Sequence, residues 1–104
     1  MNLRVLPEAN EDVGDALRWL VRKRRYRVAG NLWREWQDGL AAVVADPRRF
    51  PTAEEAPTGR EVRVYPTRRY GCLIVYEVSP VEIKVVAFPS GCRLPAVWLS
   101  RLES

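Results

Sequence analysis

The run CLIVYEV, residues 72–78, carries apolar side chains at positions that fall on both faces of an extended chain. A strand of that kind belongs in the middle of a sheet, where both faces are covered. Its neighbours in sequence also read as strands. EVRVY, residues 61–65, alternates, with Val62 and Val64 against Arg63 and Tyr65. VEIKVVAF, residues 81–88, begins the same way, with Val81, Ile83 and Val85 against Glu82 and Lys84. Ser79-Pro80 lies between them. A two-residue hairpin needs φ > 0, which proline cannot adopt, so this turn is expected to be longer or irregular.

The first part of the chain has a different period. NLRVLP alternates and predicts a short strand ended by Pro7, a residue suited to a first helical turn. Leu6 is then the N-cap, a poor one. Val13, Ala16, Leu17, Leu20 and Val21 form one apolar stripe at helical spacing, predicting a helix from about residue 8 to about residue 26. Gly30 interrupts the pattern. Asn31 is the expected cap of a second helix to about Ala45, with Leu32, Trp36, Leu40, Val43 and Val44 broadly along one side. Two amphipathic stretches with a short break predict an antiparallel helical hairpin. Asp46-Pro47 stops the second helix. PRRFPTAEEAPTGR, residues 47–60, has no periodicity and predicts a long surface loop. PAVWLSRLES predicts a short terminal helix. The expected order is β-α-α-β-β-β-(α), one α+β domain over residues 1–104 with a helical pair on a small, mainly antiparallel sheet.

The composition excludes several functions. With 104 residues and no long apolar run, neither a second domain nor a membrane span is expected, and the N-terminus has no signal-peptide pattern. The cytoplasm is the expected location. There is no histidine, so a Cys/His zinc site and a histidine base are both ruled out. Cys72 and Cys92 are expected as buried thiols. No nucleotide-binding, metalloprotease or serine-hydrolase motif is present, and no cofactor or metal is expected.

The net charge is +4, and all but two of the 17 cations are arginine. That balance suits either a polyanionic or a carboxylate-rich partner. RKRRYR, residues 22–27, is expected at the end of the first helix, where cations match the macrodipole by about 0.3–1 kcal/mol each. Direct nucleic-acid contact is the second reading, since stacking platforms need more aromatics than Tyr26. Trp19, Tyr26 and Trp33 recur every seven residues and suggest a flanking aromatic strip, used in packing or by a partner. Arg63, Arg69 and Arg93 are expected to meet at strand ends, as a cationic patch on the sheet face left open by the helices. Such a patch would hold phosphate or acidic side chains.

Four segments together look familiar: LPEANEDVGDALRWL, ADPRRFP, VRVYPTRRYGCLIVYEV and VAFPSGCRLPAVWLSRL. In order and spacing, over nearly the whole chain, they resemble ParE-type toxins of the RelE/ParE superfamily, known from plasmid-stabilisation and other type II toxin–antitoxin modules. The resemblance implies a small toxin, encoded beside an antitoxin with an acidic C-terminal segment that wraps and neutralises it. It places Arg63, Arg69 and the group Tyr76-Glu77-Val78 on strands. It matches Arg93, Pro95 and Trp98 to a C-terminal R-x-P-x-x-W pattern. Trp19, Tyr26, Trp33, Arg63, Arg69, Arg93 and Trp98 are thus the candidate partner-binding residues. ParE-like relatives act on DNA gyrase, whereas RelE-like relatives cut mRNA on the ribosome. For the second activity Arg63, Arg69, Tyr70 and Arg93 are the candidates. Ser90 and Leu94 depart from the pattern, standing where many relatives have His and Asp. RNA cleavage through the 2′-hydroxyl needs a base, and arginine is a poor one. The binding activity, gyrase inhibition, is therefore the preferred expectation.

Overall fold

The computed structural model describes residues 2–69, 71–89 and 98–103. Strand β1 (Asn2–Val5) is followed by helices α1 (Pro7–Arg22) and α2 (Tyr26–Ala45), then strands β2 (Glu61–Pro66), β3 (Leu73–Val78) and β4 (Glu82–Ala87), and a 3-10 segment (Leu99–Glu103). The sheet order is β1-β4-β3-β2. β1 runs parallel to β4, and the other two pairings are antiparallel. The expected α+β order and the helical pair on a mainly antiparallel sheet are both present.

Pro7 opens α1, and Leu6 lacks a side-chain cap, as expected. The end of α1 differs from expectation. The helix stops at Arg22 rather than near residue 26, so the RKRRYR run supplies the end and C-cap of α1, the turn, and the first two residues of α2. The Arg25 amide donates to the Leu20 carbonyl and the Arg24 amide to the Val21 carbonyl. That is a Schellman closure, which requires a left-handed residue, and Arg24 supplies it at φ 57°. Glycine usually takes this position because a side chain there costs roughly 1–2 kcal/mol. Arg24→Gly is therefore expected to raise the unfolding free energy by about 0.5–1 kcal/mol, after the extra backbone entropy of glycine is deducted. Urea denaturation of the two proteins measures it. Gly30 and Asn31, expected as breaker and cap, lie inside α2. The Asp46-Pro47 stop holds.

Two apolar clusters sandwich the sheet. On the helical side Val13, Leu20, Leu32, Trp36 and Val43 meet Ile74, Tyr76, Ile83, Val85 and Phe88. Gly39 lets α2 approach, since a Cβ there would lie 2.5 Å from Ile74 Cδ1. On the other face Val62, Val75, Val86 and Ala87 are covered by Trp98, Leu102 and Ala53. A register shift opposite Val75/Tyr76 places the consecutive Val86 and Ala87 in the same cluster. It also returns Phe88 to the helical side, edge-on to Trp36 at 5.0 Å.

The segment after α2 is more ordered than a plain surface loop. Ala53 donates to the Val62 carbonyl and Val64 to the Pro51 carbonyl, so residues 51–53 shield the β2 edge. Val21 and Val44, assigned by periodicity to the core stripes, are instead 47% and 45% exposed. The Ser79–Pro80 turn is irregular as expected, closed by Ser79 Oγ, which accepts from the Glu82 amide. No helix among the described residues is long and apolar enough to cross a membrane.

Candidate partner-binding surface

The outer side of the helical pair is unusually apolar. Tyr26, Trp33 and Val44 follow one another along α2, at 63%, 46% and 45% exposure. Gly30 and Ala41, small and exposed, lie along the same side. Val21 and Trp19 add exposed surface on α1. The heptad spacing of Trp19, Tyr26 and Trp33 crosses the interhelical turn, so they do not form a strip on one helix. None of the three is a core residue. Sequence periodicity missed Val21 and Val44 as surface because each sits next to a core position.

Where the helices end and the sheet begins, Trp19, Arg22, Arg25 and Leu32 line a groove of about 1110 Å³. Leu73 and Phe88 form part of its floor. Arg101 closes one side through Asp12, at 2.7 Å, and Asp12 also accepts from the Phe88 amide. Trp98, a candidate partner residue, is 5% exposed and packs on the sheet instead.

The expected arginine patch is not assembled among the described residues. Arg63 pairs in register with Tyr76, which belongs to the helix-facing cluster, so it is not on the open face. Its guanidinium donates to the Phe50 carbonyl at 2.6 Å and to Glu61 at 2.8 Å. Arg69 is exposed in the turn beyond Pro66, roughly 10 Å or more further along the strand. Arg93 and Tyr70 lie outside the described residues, as does Cys92. The alternation that placed Arg63 opposite Val62 was right. Which of the two faces the helices cover was not legible, because both faces of β3 are apolar.

The sheet face opposite the helices carries a row of alternating charge instead. Arg4 donates to Glu82, and Lys84 lies 3.5 Å from Glu77. Arg60 makes paired hydrogen bonds to Glu77 at 2.6 and 2.8 Å. Lys84, only 6% exposed, also donates to the Leu102 carbonyl at 2.6 Å, pinning the 3-10 segment down. The hydrogen bonds from Arg60 and Arg4 hold Glu77 and Glu82 below the usual carboxylate range.

These surroundings bear on acid–base chemistry. The Tyr76 hydroxyl donates to the Pro47 carbonyl at 2.6 Å, and burial pushes its pKa up to about 12. A phenol so placed is a poor base at neutral pH. Glu61 is pulled down by hydrogen bonds from Arg63 and Arg48, which makes its carboxylate a weaker base. Arg63 is committed to structure.

The sequence matches no protein-family model and no curated protein. Among solved structures it is similar to a chain described as "Chromosomal ParDE TA system from P. aeruginosa", with a TM-score of 0.71. The identity is 14%, and the match covers 86% of this chain and 95% of that one. The chain has a ParE-type toxin fold. In the ParE-type fold described here, the apolar outer side of the helices and the basic turn are surface features, not parts of the core.

Proposed function

We propose that this chain is the toxin of a type II toxin–antitoxin pair, ParE-like, which inhibits DNA gyrase by binding and is neutralised by a partner antitoxin. The observation that carries the reading is the likeness to the ParDE chain across 86% of the sequence. The exposed Tyr26, Trp33 and Val44 support it, because a long apolar helix face needs a protein cover. Arg68 and Arg69, exposed beyond the end of β2, suit an acidic antitoxin segment. Arg69 and Arg93 remain proposed contacts of that segment or of the target. Arg63 is proposed to act mainly by holding the loop after α2.

The alternative, an mRNA endonuclease, has less support, since Tyr76, Glu61 and Arg63 are all engaged elsewhere. Expression without an antitoxin is expected to give filamentous, growth-arrested cells, and the purified chain is expected to block supercoiling by gyrase. Normal supercoiling at a large excess of the chain would reject gyrase as the target. Discrete cuts in translated mRNA, lost in Arg93→Ala, would establish the nuclease instead. Normal growth in a naive host would leave only a partner-binding role.

A further inference from the structure

We propose that the basic turn between the helices, with Trp19 and Tyr26 beside it, binds single-stranded nucleic acid. The turn concentrates Arg22, Lys23, Arg24, Arg25 and Arg27, all exposed. Elsewhere Arg4, Arg18, Arg48, Arg60, Arg63 and Arg101 each hold a carboxylate, and the other described arginines, Arg34, Arg49, Arg68 and Arg69, are not gathered into one run of comparable charge. Among the described residues no carboxylate pairs with any of the five cations of the turn.

Arg22, Lys23 and Arg24 close α1, where the macrodipole favours cations. Arg25 and Arg27 stand at the start of α2, where no acidic residue lies in the first turn and the dipole opposes a cation. Arg24 adds the strain of a left-handed side chain. A cationic cluster kept at a cost to stability calls for a polyanion.

Two aromatics narrow the class of polyanion. The Lys23 ammonium lies 5.9 Å from the Trp19 ring centre, which ties Trp19 to the turn. Trp19 is 49% exposed and Tyr26 63%. Trp19 also shares a groove wall with Arg22 and Arg25, so ring and charges form one surface. Exposed rings beside unpaired arginines suit unstacked bases joined by phosphates. A duplex hides its base faces, and an acidic peptide has none.

The full chain, titrated against fluorescein-labelled oligo(dT) and oligo(U), tests this by fluorescence anisotropy. Binding is expected to weaken between ~50 and ~200 mM salt, with a log–log slope of roughly −2 to −3.5 for three to five phosphate contacts. Replacing Arg24, Arg25 and Arg27 together (R24G, R25Q, R27Q) is expected to weaken binding at least about tenfold and to flatten that slope. Replacing Trp19 and Tyr26 with alanine is expected to weaken binding roughly tenfold while the slope stays. All five sites are exposed, and circular dichroism confirms that each variant folds. Absence of salt-dependent binding, or wild-type binding by either variant, overturns the proposal. So does displacement of the oligonucleotide by polyglutamate at equal charge, which assigns the turn to an acidic protein segment. The assay contains no gyrase and no antitoxin, so its outcome is independent of the proposed toxin activity.

Discussion

Trp36→Ala is expected to lower the unfolding free energy by about 3–5 kcal/mol, which is most of the stability of a domain at the low end of the ordinary range of about 5–15 kcal/mol. Trp36 is 2% exposed and meets Phe88 edge-on, at the point where α2 crosses onto the sheet. Truncation would remove that contact and open a cavity that helix and sheet cannot both close. Trp33, three residues earlier, gives the contrast. At 46% exposure its replacement by alanine is expected to change stability by no more than about 0.5 kcal/mol. On the function proposed above, the same change is expected to weaken binding of the partner antitoxin by tenfold or more. Guanidinium denaturation of both variants, with calorimetric titration of the antitoxin into Trp33→Ala, separates the two roles. Equal stability losses would mean that the outer face of α2 packs against the rest of the chain.

The second large effect is expected at Glu77. Glu77→Ala leaves Arg60 and the buried Lys84 without their shared carboxylate, a loss of about 3 kcal/mol. Lys84→Met is expected to lose much less, because Glu77 keeps its two hydrogen bonds from Arg60. The pH dependence follows from the same contacts. Glu77, Glu61 and Glu82 all lie below their ordinary value of 4.5 in the folded chain. The stability they contribute is therefore present above about pH 4.5 and is lost as the pH falls through their folded values. Denaturation curves from pH 7 down to pH 3 are expected to show this decline, and a shallower one in Glu77→Gln. A flat profile would show that the pairs add nothing to folding.

Much of this architecture was legible in the sequence. Period-two alternation located β2 and the start of β4, a run apolar on both faces located β3, and the apolar stripes located both helices. The junction between the helices was misplaced because it carries no glycine or proline. Arg24 takes the left-handed position, and the helix ends there without its usual marker. Gly30, the marker that was present, sits with open space around it inside α2. The surface residues were partly legible. Trp19, Tyr26 and Trp33 stood out by type, whereas Val21 and Val44 read as core by period. Arg63 was misjudged because its partners, Glu61 and the Phe50 carbonyl, depend on how the loop after α2 folds back. No local pattern encodes that path.

The place of β1 in the sheet has a consequence for the timing of folding. Its partners, Glu82–Val85, are synthesised last of all the strand residues apart from Val86 and Ala87. A nascent chain on the ribosome cannot complete the sheet until that stretch has emerged, and pairings so remote in sequence form slowly. Until it has emerged, the edge of β3 that takes β4 stays open and the helical pair has only part of the sheet to pack on.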